Sequence, residues 1–234
     1  WIFNKKKRIP GSMLKDYLAV LKLFFVRTDQ SVLELLGNKS ILYKTFWEPL
    51  TLGIMNTECE KASAFLLSSV IKKSFLKGGK FCSIYQPKLS WDNSLIKPSL
   101  KYIKNKKCSI NYNSILKNIK VHEGIVTKLE FQNNEINIEN NDEVILSLPP
   151  NSLCKLLPNI SLPKVFNTIL NIHFKIKKSL ENKLNIPILG VLNSITHWIF
   201  IKKGYISVTI SAANKYNDIK SEVIAKDIWK EVSE

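Results

Sequence analysis

The chain has 234 residues, of which 45% are apolar and 23% charged, a globular composition that excludes a disordered, collagen-like or disulfide-stapled protein. Lys and Arg together number 35 against 19 Asp and Glu, a formal charge of +16, but only Arg8 and Arg27 are arginines and most lysines are dispersed. Arginine forks and aromatic platforms interleaved with basic residues are missing, so nucleic acid is not an expected partner, and no run of about 18 apolar residues exists to span a bilayer.

Residues 11 to about 107 read as helical. After Pro10-Gly11, Ser12 is a candidate N-cap for a helix with Leu14, Tyr17, Leu18, Leu21, Phe24 and Phe25 on one face. A short helix over Ser31–Leu36 ends at Gly37, a natural C-terminal residue for a helix. The run Ile41–Trp47 is expected to stop at Pro49, with Trp47–Asn56 a loop flanked by Glu48, Glu58 and Glu60. Glu58–Leu76 is expected to be helical with Ala62, Phe65, Leu66 and Val70 inward, ended by Gly78-Gly79, and a further helix over Asp92–Lys106 is interrupted by Pro98.

From Cys108 to Pro150 the period becomes two. Ile110 and Tyr112, then Ile125, Thr127, Leu129 and Phe131, then Ile136 and Ile138 alternate with polar residues around turn signals at Gly124 and Asn133-Asn134, which predicts a β-meander. Val144–Leu148 is an unalternating apolar run of the kind found in a parallel strand covered on both faces. Leu170–Ile176 alternates again, Val191–Ile201 and Tyr205–Ala212 form a hairpin around Lys203-Gly204, and Ile219–Val232 is a helix with Ile224, Ala225, Ile228 and Val232 on one face.

Self-contained chemistry is nearly absent from the sequence. No G-x-G-x-x-G, G-x-x-x-x-G-K-[ST], H-E-x-x-H or G-x-S-x-G occurs. The four cysteines hold no C-x-x-C pair, so no zinc site is expected and a reducing compartment is the default. His122, His173 and His197 fall in different elements and read as surface or sheet residues, and spacing alone builds no acid/base pair. Trp198 and Phe200 share a strand face that would wall an apolar cavity or pack a sheet.

Four segments, in order, carry a family resemblance. Phe46-Trp47-Glu48-Pro49-Leu50 through Asn56-Thr57, followed by Glu60-Lys61-Ala62, resembles the W-[DE]-P-L-x-x-x-x-x-N-T segment of squalene-associated FAD-dependent desaturases, the hydroxysqualene dehydroxylases of hopanoid biosynthesis, within the flavin amine oxidase and phytoene desaturase superfamily. Ile110–Ile119 resembles the strand that contacts adenine in that superfamily, Asp142–Pro150 its P-P return strand, and Gly190–Asn193 with His197-Trp198-Ile199-Phe200 the substrate-domain hairpin.

The resemblance implies a mixed α/β (α+β) fold: a partial two-domain, FAD-dependent amine-oxidase-like architecture without its N-terminal Rossmann βαβ. It implies a helical part of the substrate domain over 1–107, the FAD-domain meander and return strand over 108–150, and an antiparallel-sheet part of the substrate domain over 151–234. Leu116, Ser147, Leu148 and Pro149 match positions near FAD, the implied cofactor, while Trp47, Asn56, Trp198 and Phe200 match positions lining a tunnel for an apolar isoprenoid. The superfamily's pyrophosphate-binding strand–G-x-G-x-x-G–helix and the closing Gly-Asp segment have no counterpart, so the chain reads as a central fragment, inactive alone. The implied protein is a cytoplasmic oxidoreductase, peripheral on the inner membrane face through a basic amphipathic Leu14–Val26, with no metal. Another phytoene-desaturase-like or amine-oxidizing activity, a non-catalytic partner subunit, and a basic nucleic-acid-binding module are the alternatives.

Overall fold

The computed structural model describes residues 2–27, 29–177 and 186–233, and the chain divides into two compact units. The first comprises residues 1–83 and 167–234, the second residues 84–166, whereas the motif-based division falls at 107/108 and 150/151.

The first unit opens with α1 (Leu14–Tyr17), which tightens at once into a 3-10 segment over Leu18–Phe24. Ser12 does not cap it. Its hydroxyl donates to the Ile9 carbonyl at 2.6 Å, and the Asp16 carboxylate instead accepts the Met13 N–H at 2.8 Å. Three residues per turn also change which side chains face inward: Tyr17 and Leu23 are buried, while Leu14, Leu18, Leu21, Phe24 and Phe25 of the expected face are exposed. The helix α2 (Val32–Leu36) forms as expected, closed by a Ser31–Glu34 capping box and by Gly37 at φ +69°.

Pro49 does not end a helix. A π turn over Tyr43–Trp47 widens the coil so that the Glu48 N–H bonds the Tyr43 carbonyl, and α3 (Glu48–Met55) continues with proline in its first turn, where no N–H is needed. The expected Trp47–Asn56 loop is therefore helix. Asn56, left-handed at φ 49°, terminates it. The next helix, α4 (Ala64–Lys73), begins at the Ser63 cap, six residues later than periodicity suggests. It buries Ala64, Leu67, Ser68 and Ile71, whereas Phe65 and Leu66 are exposed. A buried cluster including Tyr17, Leu23, Val32, Leu42, Trp47 and Leu67 holds these elements together.

In the second unit the same device recurs: a π turn over Asp92–Ile96 leads into α5 (Lys97–Asn105) across Pro98. The meander is β1 (Leu116–His122), β2 (Ile125–Phe131) and β3 (Glu135–Asn137), antiparallel and in that order, starting after Ile110 and Tyr112, which lie outside it. Val144–Leu148 joins no ladder among the described residues, and Ile145 is 84% exposed, so the expected covered strand is not formed. A run this apolar needs a neighbouring strand and a cover on each face; among the described residues no strand pairs with it, and only the face of Val144 and Leu146 is half-buried. Pro149 then caps α6 (Pro150–Leu156).

The first unit closes with β4 (Leu170–Lys175), β5 (Ile188–Gly190), β6 (Trp198–Lys202) and β7 (Tyr205–Ile210), ordered β4-β7-β6-β5 and antiparallel throughout. Lys203-Gly204 turns β6 into β7 as the hairpin signal requires, with Gly204 at φ +82°. The hairpin is shorter than read, since Val191–His197 is a loop. On the sheet lies α7 (Ser221–Ser233), whose Ile224 and Ile228 are buried against Ile206, Val208 and Ile210.

Candidate functional site

Two neighbouring cavities of the first unit share Glu48, Leu52, Asn193, Ser194 and His197 in their linings. One, of about 530 Å³, is walled by Phe46, Pro49, Leu50, Val191, Leu192 and Trp198. The other, of about 590 Å³, is more polar and is bounded by Glu58, Cys59, Glu60, Ser211, Lys215 and Glu231.

Sequence places these groups by local rules. α3 carries Glu48 at its first position and Leu52 one turn on, because the π turn lets the helix pass Pro49. The Trp198 wall is held by two glycines: a Cβ on Gly53 would stand 3.0 Å from the indole, and one on Gly190 would stand 3.1 Å from it. Any side chain at either position forces the ring to move.

Glu231, on α7, fixes the loop at the rim. It accepts from the Ser194 hydroxyl at 2.6 Å and from the Ile195 and Thr196 N–H groups at 3.1 and 3.0 Å. Burial pushes this carboxyl up, but those hydrogen bonds outweigh it and hold it below the ordinary range, as an anion. Glu48 goes the other way. Burial, then the Glu60 charge, push it up against the opposing pull of Lys44.

His197 Nδ1 accepts the Ser211 N–H at 3.0 Å, which places the proton of the neutral ring on Nε2. Burial, then the Lys215 charge, push the imidazole below its ordinary value, against the opposing pull of Glu231. The sign for stability follows: the unfolded chain binds the proton more readily, so the folded state is fully stable above the ordinary histidine range and loses stability as pH falls below about 6.5. Replacing His197 by Gln is expected to flatten the dependence of the urea midpoint on pH between 6.5 and 5. A slope unchanged in that variant would assign the effect to another group.

The residues singled out by resemblance are dispersed. Trp198 walls the apolar cavity. Trp47 is 4% exposed and lines a separate apolar cavity of about 430 Å³ with Tyr17, Leu42 and Phe46. Asn56 acts as a clasp, its Oδ1 accepting from the Ala212 N–H at 2.7 Å and its Nδ2 donating to the Asn167 carbonyl at 2.8 Å. Phe200 is half-buried on β6, paired with Ser207 and Ile188. In the second unit, Leu116, Ser147 and Leu148 do meet, around a cavity of about 750 Å³, and Pro149 follows at the start of α6.

Sequence reasoning missed His197 and Glu231 as site residues and left Glu48 unassigned. Glu48 stood inside the quoted W-E-P-L motif, which was a usable signal, and His197 began the H-W-x-F motif. Nothing near Glu231 announced it. Among the described residues no group of histidine, cysteine and acidic side chains is placed to hold a metal, and the four cysteines are free.

The described residues form a mixed helical and antiparallel-sheet architecture. Over its whole length the chain is similar in sequence to hydroxysqualene dehydroxylases. The curated hydroxysqualene dehydroxylase of Zymomonas mobilis subsp. mobilis is 31% identical over 235 residues, covering 99% of this chain. Those of Sinorhizobium fredii and Rhodopseudomonas palustris are 28% and 26% identical over 234 residues. The chain spans about half of each, 55% of their length. No family model matches it, and no solved structure does.

Proposed function

We propose that this chain is the substrate-side portion of a flavin-dependent oxidoreductase that removes the hydroxyl group of a squalene-type isoprenoid, in hopanoid biosynthesis. The whole-length match to three hydroxysqualene dehydroxylases carries the reading, and the cleft walled by Trp198, Leu192 and Leu50 supports it with an apolar bed for such a chain. The whole protein encoded by the gene, purified with its cofactor, should convert hydroxysqualene to squalene under reducing conditions, followed by gas chromatography. A folded, flavin-loaded protein that yields no squalene overturns the substrate assignment.

For FAD, the second unit offers a ring site but no diphosphate site. Leu116, Leu129 and Leu148 line its cavity, and the ladder-free backbone of Val144–Leu148 would pair with a ring edge. Lys117 and Lys155 are its cations, and no glycine lines it, so the convergent backbone donors that hold two phosphates are not supplied there. When bound, a reduced flavin supplies a hydride. This chain's own part is to bind the apolar substrate and exclude water.

The substrate is drawn from a membrane, and the start of the chain suits a peripheral contact there. Leu14, Leu18, Leu21 and Phe25 are exposed at 40%, 57%, 52% and 86% among Lys15 and Lys22, an apolar stripe flanked by cations. No helix of the described residues is long and apolar enough to cross a bilayer. Co-sedimentation with vesicles should rise with their phosphatidylglycerol content and fall in Leu18→Glu/Phe25→Glu; binding indifferent to anionic lipid would remove this reading.

A further inference from the structure

Of the two cavities that meet at Glu48 and His197, one is mainly apolar and the other acid-lined, an arrangement that suits a molecule with a long hydrocarbon chain and one hydroxyl. We propose that the hydroxyl of the isoprenoid alcohol sits at the Glu48–His197 rim and that Glu48 is the general acid that protonates it as it leaves. The inference rests on the substrate reading above and adds the residue that carries the proton.

The geometry singles out Glu48 among the carboxylates. It lines both cavities, and it is the one acidic residue of the apolar one. Glu58 and Glu60 are exposed and border the polar cavity but not the apolar one, and Glu231 is occupied by its three hydrogen bonds to the 194–196 loop. A general acid must hold its proton at working pH, and the burial of Glu48 with Glu60 nearby favours that form. The groups around it are Lys44 and Tyr43 on its own helical segment, Cys59 and Glu60 from the following loop, and His197 and Lys215 across the cleft. His197, neutral with its proton on Nε2, adds no positive charge that would ionise Glu48.

In the step, the Glu48 proton passes to the hydroxyl oxygen while the C–O bond breaks. The bonding pair stays with oxygen and water departs. A two-electron donor of the reduced-flavin class would supply the hydride that completes the carbon, and the Glu48 carboxylate would regain its proton from solvent through the polar cavity.

The test uses the whole protein, with hydroxysqualene as the probe. Glu48→Gln should lower kcat about 100-fold or more with KM little changed, since a positioned acid contributes that much to the chemical step. Folding is not expected to suffer: a carboxyl whose folded pKa is raised loses stability as pH climbs through that value, so the amide is neutral or favourable at pH 7. Glu60→Gln supplies the second reading. It removes the like charge, so turnover should persist while the alkaline limb of the kcat profile moves to lower pH. Wild-type kcat and pH profile in Glu48→Gln overturn the assignment. A wild type that is folded and loaded but leaves hydroxysqualene unchanged overturns the substrate reading and this assignment with it, so the two failures are distinguishable.

Discussion

Asn56→Ala is expected to lower the unfolding free energy by about 3 kcal/mol, read as a fall in the urea midpoint at unchanged slope. Three losses add. Asn56 ends α3 in the left-handed region at φ 49°, where alanine is strained by about 1 kcal/mol. Its Oδ1 accepts the Ala212 N–H and its Nδ2 donates to the Asn167 carbonyl, and each such bond contributes on the order of 1 kcal/mol. Two further variants separate the parts. Asn56→Gly restores the backbone freedom and should cost about 2 kcal/mol, and Asn56→Asp keeps the acceptor for Ala212 and should cost about 1 kcal/mol. Equal losses in all three would show that the clasp is not what Asn56 contributes.

Ile228→Ala is expected to cost more, about 4 kcal/mol, the upper part of the range for deleting a fully enclosed branched side chain. Ile228 is wholly buried where α7 meets Val208 and Ile210 of β7, and the neighbours on a four-stranded sheet cannot collapse into the space left. Val223, on the outer face of the same helix and 50% exposed, provides the contrast, since Val223→Ala should change stability by less than about 0.5 kcal/mol. Comparable losses at the two positions would mean that the helix packs in a different register. Because α7 also carries Glu231, loosening it should release the 194–196 loop from the rim of the cleft.

The register of α7 was legible beforehand, because a 3.6-residue period survives whenever an ordinary helix lies on a flat apolar face. The same holds for the alternation of β4, for the Lys203-Gly204 turn and for the end of α2 at Gly37, all of which depend on residues a few positions apart. Near the start of the chain this failed for an identifiable reason. The segment after Tyr17 winds at three residues per turn, so the face computed for an α-helix is not the buried one. Pro49 and Pro98 misled in another way. Each follows a π turn that has already opened the backbone, and proline then occupies a first helical turn in place of a break.

Residue order by itself thus determined the helical and antiparallel segments with regular periods, their caps and turns, and the family resemblance that the relatives then extended over the whole chain. The site belongs to the tertiary structure. Glu48, His197 and Glu231 lie on a helix, a loop and a distant helix, and no local rule relates them. They share one cleft because α3 passes Pro49, because Gly53 and Gly190 leave room for the Trp198 ring, and because Glu231 ties the 194–196 loop to α7. Caps and turns are decided by hydrogen bonds within a few residues, whereas a cavity is decided by where packed elements leave a gap, and that depends on every element at once.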